Sequence, residues 1–170
     1  MAKSLARRGA IEATTVYCND VLVCVNSSMT LPSITFLTAD LQAMGTMTLP
    51  LIASIEDMET SITKVGIDKN LTLLTSPGDK RLEYRWVQDV VQADGTIKPE
   101  GCKAFFKIMP KTLVPGATLE VGSATENDLT FSVTRYQLFA GGKELVLVDR
   151  LNQILRVNGV DYYKKLDSML

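Results

Sequence analysis

Alternation of apolar and polar positions dominates this chain. Its clearest expression is the stretch Leu129 to Asp161, LTFSVTRYQLFAGGKELVLVDRLNQILRVNGVD. Two β-rich arms flank Gly141-Gly142, a pair suited to a tight hairpin turn because both central residues need positive φ. A two-residue turn there predicts Leu138 opposite Leu145, Tyr136 opposite Leu147, Arg135 opposite Val148 and Gln137 opposite Val146. The second arm, Lys143 to Val157, is expected as one strand of roughly 50 Å at about 3.3 Å per residue. A strand that long in so short a chain predicts cover from neighbouring molecules.

The same alternation marks Thr15 to Val25, with Asn19-Asp20 as a turn or bulge, and Ile55 to Val65. In the latter, Asp57 and Glu59 share one face while Glu56 shares the other with Met58, Thr60, Ile62 and Lys64. Arg81 to Gln92 and Gly101 to Met109 predict a further pair of strands around Ala93-Asp94-Gly95-Thr96, with Trp86 and Phe105 or Phe106 in the core. One stretch has helical spacing: Ile67, Leu71 and Leu74 fall on one face, Asp68 opens the first turn and Ser76-Pro77-Gly78 stops it. Thr112 to Asn127 reads as a short strand and loop.

Two β segments carrying proline, Met29 to Ile34 and Met47 to Ile52, flank a predicted protruding loop, residues 37–46. That loop presents Leu41, Met44 and neighbouring Met47 around Gly45, contacts for an assembly. Residues 1–14 are expected as an arm and residues 15–170 as a single domain. Within it, residues 160–170 form a tail whose amphipathic turns carry Tyr162, Leu166 and Met169, capped by Asp161. Strands, turns and one short packed helix predict a mainly β, antiparallel sandwich or barrel.

Composition narrows the chemistry. Apolar residues make up 46 % of 170, which argues against disorder, and no apolar run reaches membrane-spanning length. The basic N-terminal stretch has no apolar run behind it, so the chain is expected to stay in the cytoplasm after synthesis. Histidine is absent, which removes the commonest general base and zinc ligand. Cys18, Cys24 and Cys102 have no framework spacing and are expected as buried thiols, the first two too far apart to bridge if they share a strand. No phosphate loop, dinucleotide fingerprint, nucleophile elbow or metal-ligand spacing occurs; Gly141-Gly142-Lys143-Glu144 lacks the upstream glycine and following hydroxyl of a phosphate loop. The expectation is no enzyme, no cofactor and no metal.

The net charge of −1 is unevenly spread. No Lys or Arg lies between Gly9 and Thr63, where Glu12, Asp20, Asp40, Glu56, Asp57 and Glu59 are all acidic; Lys3, Arg7 and Arg8 precede it as a basic tip. Such a one-signed region gains field strength when copies meet around an axis.

Gly141-Gly142-Lys143-Glu144-Leu145-Val146, then Asp149, Asn152 and Val157-Asn158-Gly159-Val160-Asp161, resemble the C-terminal signature of the major tail tube protein of contractile-tailed phages. That family includes the tube subunits of phage-tail-like bacteriocins. Val16-Tyr17 with Asn19, Met29-Thr30-Leu31-Pro32 and the helical stretch are collinear with features of the same family. The resemblance implies a β-sandwich subunit whose copies form stacked, hexameric rings, a hollow inner tube within a sheath. Lys3, Arg7, Arg8, Leu41, Met44, Gly45, Met47, Tyr162 and Leu166 are then expected at ring-to-ring contacts, and Glu56, Asp57 and Glu59 in the lumen. Implied partners are further copies, the sheath, and tape-measure, baseplate and terminator proteins. DNA passes only as cargo, and a target membrane is met only on penetration. The particle is a phage tail (virion) or a bacteriocin. The competing expectation, from fold class alone, is a monomeric β-barrel that binds a ligand or glycan.

Overall fold

A computed structural model describes residues 5–170. In chain order the elements are β1 (Arg7–Cys18), β2 (Val21–Val25), β3 (Ser28–Thr30), β4 (Phe36–Gln42), β5 (Thr46–Ile55), β6 (Met58–Val65), α1 (Lys69–Thr75), β7 (Lys80–Val91), β8 (Ile97–Pro110), β9 (Glu126–Ala140), β10 (Lys143–Asp149), β11 (Ile154–Val157), β12 (Val160–Asp161) and α2 (Tyr162–Asp167). Ten strands form one antiparallel sheet with spatial order β12-β11-β10-β9-β8-β7-β1-β2. The far edge of β9 is shared: its first half, Glu126 to Val133, pairs with β6, and its second half with β10. β3 extends the sheet beyond β6, so the sheet stays open, with β2, β3 and β12 at its edges.

The core follows from period-two alternation on the long strands. Val16 and Cys18 of β1, Leu82 and Tyr84 of β7, Ala104, Phe106 and Ile108 of β8, and Leu129, Phe131 and Val133 of β9 all turn inward. Met58 and Ile62 of β6 meet them, and Leu71 and Leu74 of α1 close over the top. Phe106 stacks on Tyr136 at 5.2 Å between ring centroids.

Helix α1 is clasped at both ends by lysines that reach it from the flanking strands. Asp68 caps its N-terminus, accepting hydrogen bonds from the amides of Asn70 and Leu71, and the buried Lys64 ammonium sits 3.0 Å from the same carboxylate. At the other end Lys80 donates to the hydroxyl of the C-cap residue Ser76. Partial burial works to raise the Asp68 carboxyl, but the Lys64 ion pair and the two amides outweigh it and hold the group below its ordinary value. A depressed carboxylate stabilises the fold above its unfolded pKa, near 4, and loses that contribution as pH falls through the folded value. The melting-temperature gap between the native chain and Asp68→Asn, which still caps, is therefore expected to be largest near neutrality and to close below about pH 4. A gap that persists undiminished in acid would show that charge is not what the clasp uses.

Several sequence expectations change. The arm Lys143 to Val157 is two strands, because Asp149 accepts hydrogen bonds from the amides of Leu151 and Asn152 and from the Asn152 side chain, while Gln153 turns at φ 54°. This Asx turn satisfies the backbone locally and breaks the ladder. The Gly141-Gly142 turn is present, with φ of 55° and 78°, but a bulge at Leu145 shifts the register by one. Val146 pairs with Leu138, Leu147 with Gln137 and Val148 with Tyr136. The long strands are instead β9 at 15 residues, β8 at 14, and β1 and β7 at 12 each.

Ile67 precedes the cap and is exposed, so only Leu71 and Leu74 of the expected helical trio are buried. Phe106 takes the core place while Phe105 faces outward. Asn19 and Asp20 both adopt positive φ and fold β2 back on β1, so Cys18 and Cys24 occupy paired strands rather than one. All three cysteines are free and buried.

Candidate assembly surfaces

Residues 37–46, expected as a loop, lie in a β-hairpin. β4 and β5 pair only with each other, as a separate two-stranded sheet, and turn at Ala43-Met44-Gly45, where the Ala43 amide donates to the Gly45 carbonyl. Met44 and Gly45 both take positive φ. The pairing sorts the arm's side chains by face: Leu37 lies opposite Leu51, Ala39 opposite Leu49 and Leu41 opposite Met47. The alternate rungs are Thr38 with Pro50, Asp40 with Thr48 and Gln42 with Thr46, and Thr48 donates to the Asp40 carboxylate at 2.9 Å. One side of the arm is thus an apolar ladder and the other polar, since cross-strand partners share a face.

Among the described residues nothing covers that ladder. Leu37, Leu41, Met47 and Leu49 are each more than 40 % exposed, and Met44 at the tip is fully so. A lone two-stranded hairpin is marginal in water, and contiguous exposed aliphatics mark contact surfaces. Pro50 fits because β5 has only one neighbour and its other edge needs no donor there.

The remaining expected contact residues are spread over the molecule. Arg7 and Arg8 belong to β1, which pairs with β7 from Arg7 onward, so the segment read as an arm is strand from that point; Lys3 lies outside the described residues. The Arg8 guanidinium bonds Glu100 at 2.9 Å. Tyr162 and Leu166 lie exposed on α2, which Asp161 caps through the amides of Tyr163 and Lys164. Neighbouring Tyr163 packs against the core.

The acidic trio is not a cluster of free carboxylates. Glu56 and Asp57 lie in the connection between β5 and β6, and only Glu59 lies in a strand. Asp57 is bonded by Arg150 at 2.7 Å, which holds its carboxyl below the ordinary range. Glu59 pairs with Lys111. Two of the three charges are thus neutralised within the chain. Among the motif residues, Gly141, Gly142, Asp149 and Asn152 build the two turns described above, and Asn158-Gly159 turns β11 into β12 with φ of 49° and 83°. Glu144 joins Gln137 and Arg156, while Lys143 starts β10.

Two further surfaces escaped sequence reading. The connection between β8 and β9 exposes Leu113, Val114, Leu119 and Val121; four aliphatics interleaved with Pro115, Gly116 and Gly122 were the available signal. The edge strand β2 exposes Val21, Leu22 and Val25, an uncharged edge of the kind that pairs with another chain. Among the described residues no His, Cys, Asp and Glu cluster could hold a metal, and no helix is long and apolar enough to cross a membrane.

The open antiparallel sheet, its apolar β4–β5 arm and the uncharged β2 edge are the surfaces the fold leaves exposed, and two solved structures from contractile systems are similar to it in fold. One is a chain of the sheath-tube complex of an extracellular contractile injection system (PVC) in its extended state, with TM-score 0.52 and 13 % identity over 75 % of this chain and 88 % of that one. Another is a chain of the sheath/tube terminator of the same kind of system, with TM-score 0.51 and 10 % identity over 74 % and 92 %. At such identities the likeness is one of fold. The sequence places it further: the family model of phage tail tube protein FII matches residues 8–170, and the chain belongs to that family. It is a structural protein of the tail tube. No curated protein matches the chain significantly in sequence.

Proposed function

We propose that the chain polymerises into stacked rings, six copies to a ring, that form the hollow inner tube of a contractile tail. The tube is a conduit for DNA or a rod that perforates an envelope. The uncovered apolar ladder of β4–β5 carries this reading: in a tail tube subunit, its natural cover is a neighbouring copy. Burying the half-exposed ladder side chains contributes about 1 kcal/mol each, repeated at every contact along the tube. Heterologous contacts of this kind extend into filaments, and the open edges β2 and β12 close when neighbouring strands pair with them. The sheath around the tube, a tape-measure protein within it and baseplate and terminator proteins at its ends are the partners this role requires. A monomeric ligand-binding module has no use for the exposed ladder.

Purified protein concentrated and viewed by negative stain is expected to give hollow rods. A monodisperse 18.6 kDa species at every concentration and salt tried counts against the reading.

Within that tube we place Glu56, Asp57 and Glu59 toward the lumen, where the Glu56 carboxylate, the one of the three without an ion pair among the described residues, repeats around the ring and keeps DNA phosphate from adhering. Changing all three to Lys is expected to leave rods intact while slowing passage of DNA or tape-measure protein. A variant that cannot fold would make these residues structural, and rods that deliver DNA normally would remove them from the lumen.

A further inference from the structure

Residues 111–125 run from β8 to β9 without helix or strand, about the length at which a structureless connection in a compact domain is usually a functional one. The segment is apolar and acidic at once. Leu113, Val114, Leu119 and Val121 are each more than half exposed, and no Lys or Arg occurs from Thr112 to Thr134. Glu120, Glu126 and Asp128 line one open concavity of about 520 Å³, together with Pro115, Gly116 and Ser123. Each of the four aliphatics is next in sequence to a residue of that lining, so apolar and acidic groups share one surface. Asp128 accepts a hydrogen bond from Thr63 at 2.7 Å. Glu120 and Glu126 are exposed and have no ion pair among the described residues. Exposed aliphatics bordered by carboxylates, with no cation among them, suit a partner that is both apolar and basic.

The chain carries such an element at α2. Tyr162, Leu166 and Met169 are exposed at spacings of four and three residues, which puts them on one helical face. Lys165 borders that face, three residues after Tyr162, and Lys164 stands beside it in sequence. Both lysines are exposed and have no ion pair among the described residues. Asp161 is occupied as the cap, which leaves Asp167 as the one other carboxylate side chain of the tail. α2 packs on β11 and β5, and no residue of these three elements lines the concavity, so the helix does not fill the concavity of its own molecule. We propose that α2 of one copy docks at the β8–β9 concavity of a second copy. Tyr162 and Leu166 then lie against the loop aliphatics, and Lys165, backed by Lys164, faces Glu120 and Glu126. The two surfaces lie on different elements of one subunit, so the contact is heterologous and repeats from copy to copy. The inference rests on the tube reading and names a second contact within it, apart from the β4–β5 ladder.

Sedimentation of the purified chain gives the concentration above which polymer forms, in about 0.05 M and about 0.5 M salt, on either side of physiological strength. Lys164→Glu with Lys165→Glu is expected to raise that concentration about tenfold in low salt, the factor that about 1.4 kcal/mol of lost contact gives. The melting temperature stays unchanged, since both side chains are exposed. Glu120→Lys with Glu126→Lys is expected to do the same, and combining all four changes restores polymerisation. Leu119→Ser with Val121→Ser removes the apolar half of the contact without touching charge, and is expected to raise the concentration by a similar factor in high salt and in low. Normal polymerisation of the serine variant or of either charge variant, or no recovery in the fourfold one, overturns the proposal while leaving the tube intact. Variants that polymerise normally but no longer gather a sheath would give the concavity to the sheath instead, which also overturns it. A native chain that forms no polymer overturns the tube reading itself, and this contact with it.

Discussion

Replacing Leu41 and Leu49 with serine is expected to leave a soluble, folded subunit that no longer makes long rods. The reason is topological. β4 and β5 hydrogen-bond only to each other, and the two leucines protrude from a ladder that touches little of their own molecule. Removing them therefore costs the monomer almost nothing, within the few tenths of a kcal/mol usual for surface changes. In the polymer each arm loses about 2 kcal/mol of apolar burial, which raises the concentration needed for assembly about 30-fold at about 1.4 kcal/mol per decade. Deleting Ala39 to Gly45 shortens the arm outright and is expected to stop growth at rings or monomers. Sedimentation and negative stain check both; ordinary rods from the deletion would show that the arm is ornamental.

The opposite dissociation is expected at the core. Phe131 is fully buried on β9, where it is paired with Thr60 of β6 on one side and Pro110 of β8 on the other. Phe131→Ala removes the largest fully buried side chain and leaves a cavity, at about 3–5 kcal/mol. That is a large share of a total stability on the order of 10 kcal/mol. A fall in melting temperature on the order of 10 °C is expected, with rods forming only where enough folded chain survives. A loss below about 1 kcal/mol in denaturant titration would mean that the junction of β6, β8 and β9 is not the centre of the fold. Together the two variants separate folding from assembly: one subunit folds and cannot polymerise, the other polymerises as far as it folds.

How much of this could be read from the chain depended on the range over which each signal acts. Local chemistry was legible. The stop at Ser76 falls where the spacing placed it, and Asp68, expected inside the first turn, caps α1 from just outside it; Gly141-Gly142 turns because its two positive φ angles suit glycine. The mainly β, antiparallel class followed from alternation. Register was less legible, since the bulge at Leu145 depends on how β10 adapts to β9, and one extra residue shifts every later pair. The break at Asp149-Arg150-Leu151-Asn152 was visible in principle: an Asp three residues before an Asn is a turn signal, but the apolar residues around it read as a continuous strand. The arm is the instructive case. Leu-Thr-Ala-Asp-Leu-Gln alternates as a strand should, yet glycine, methionines and proline nearby gave it the look of a loop. Its exposed apolar side was expected; its ladder of paired leucines needed coordinates. A cation row on β7–β9 was invisible because Arg81, Lys107 and Arg135 are far apart in sequence and meet only through strand pairing.

The central claim is that this polypeptide is complete only in a polymer, with the apolar face of one copy's β4–β5 arm laid on another copy. Electron cryomicroscopy of the assembled protein at side-chain detail tests it most directly. The account predicts hollow rods of stacked rings in which Leu37, Leu41, Met47, Leu49 and Leu51 are buried against a neighbour. Rods whose arms still hold those five side chains in solvent would contradict it.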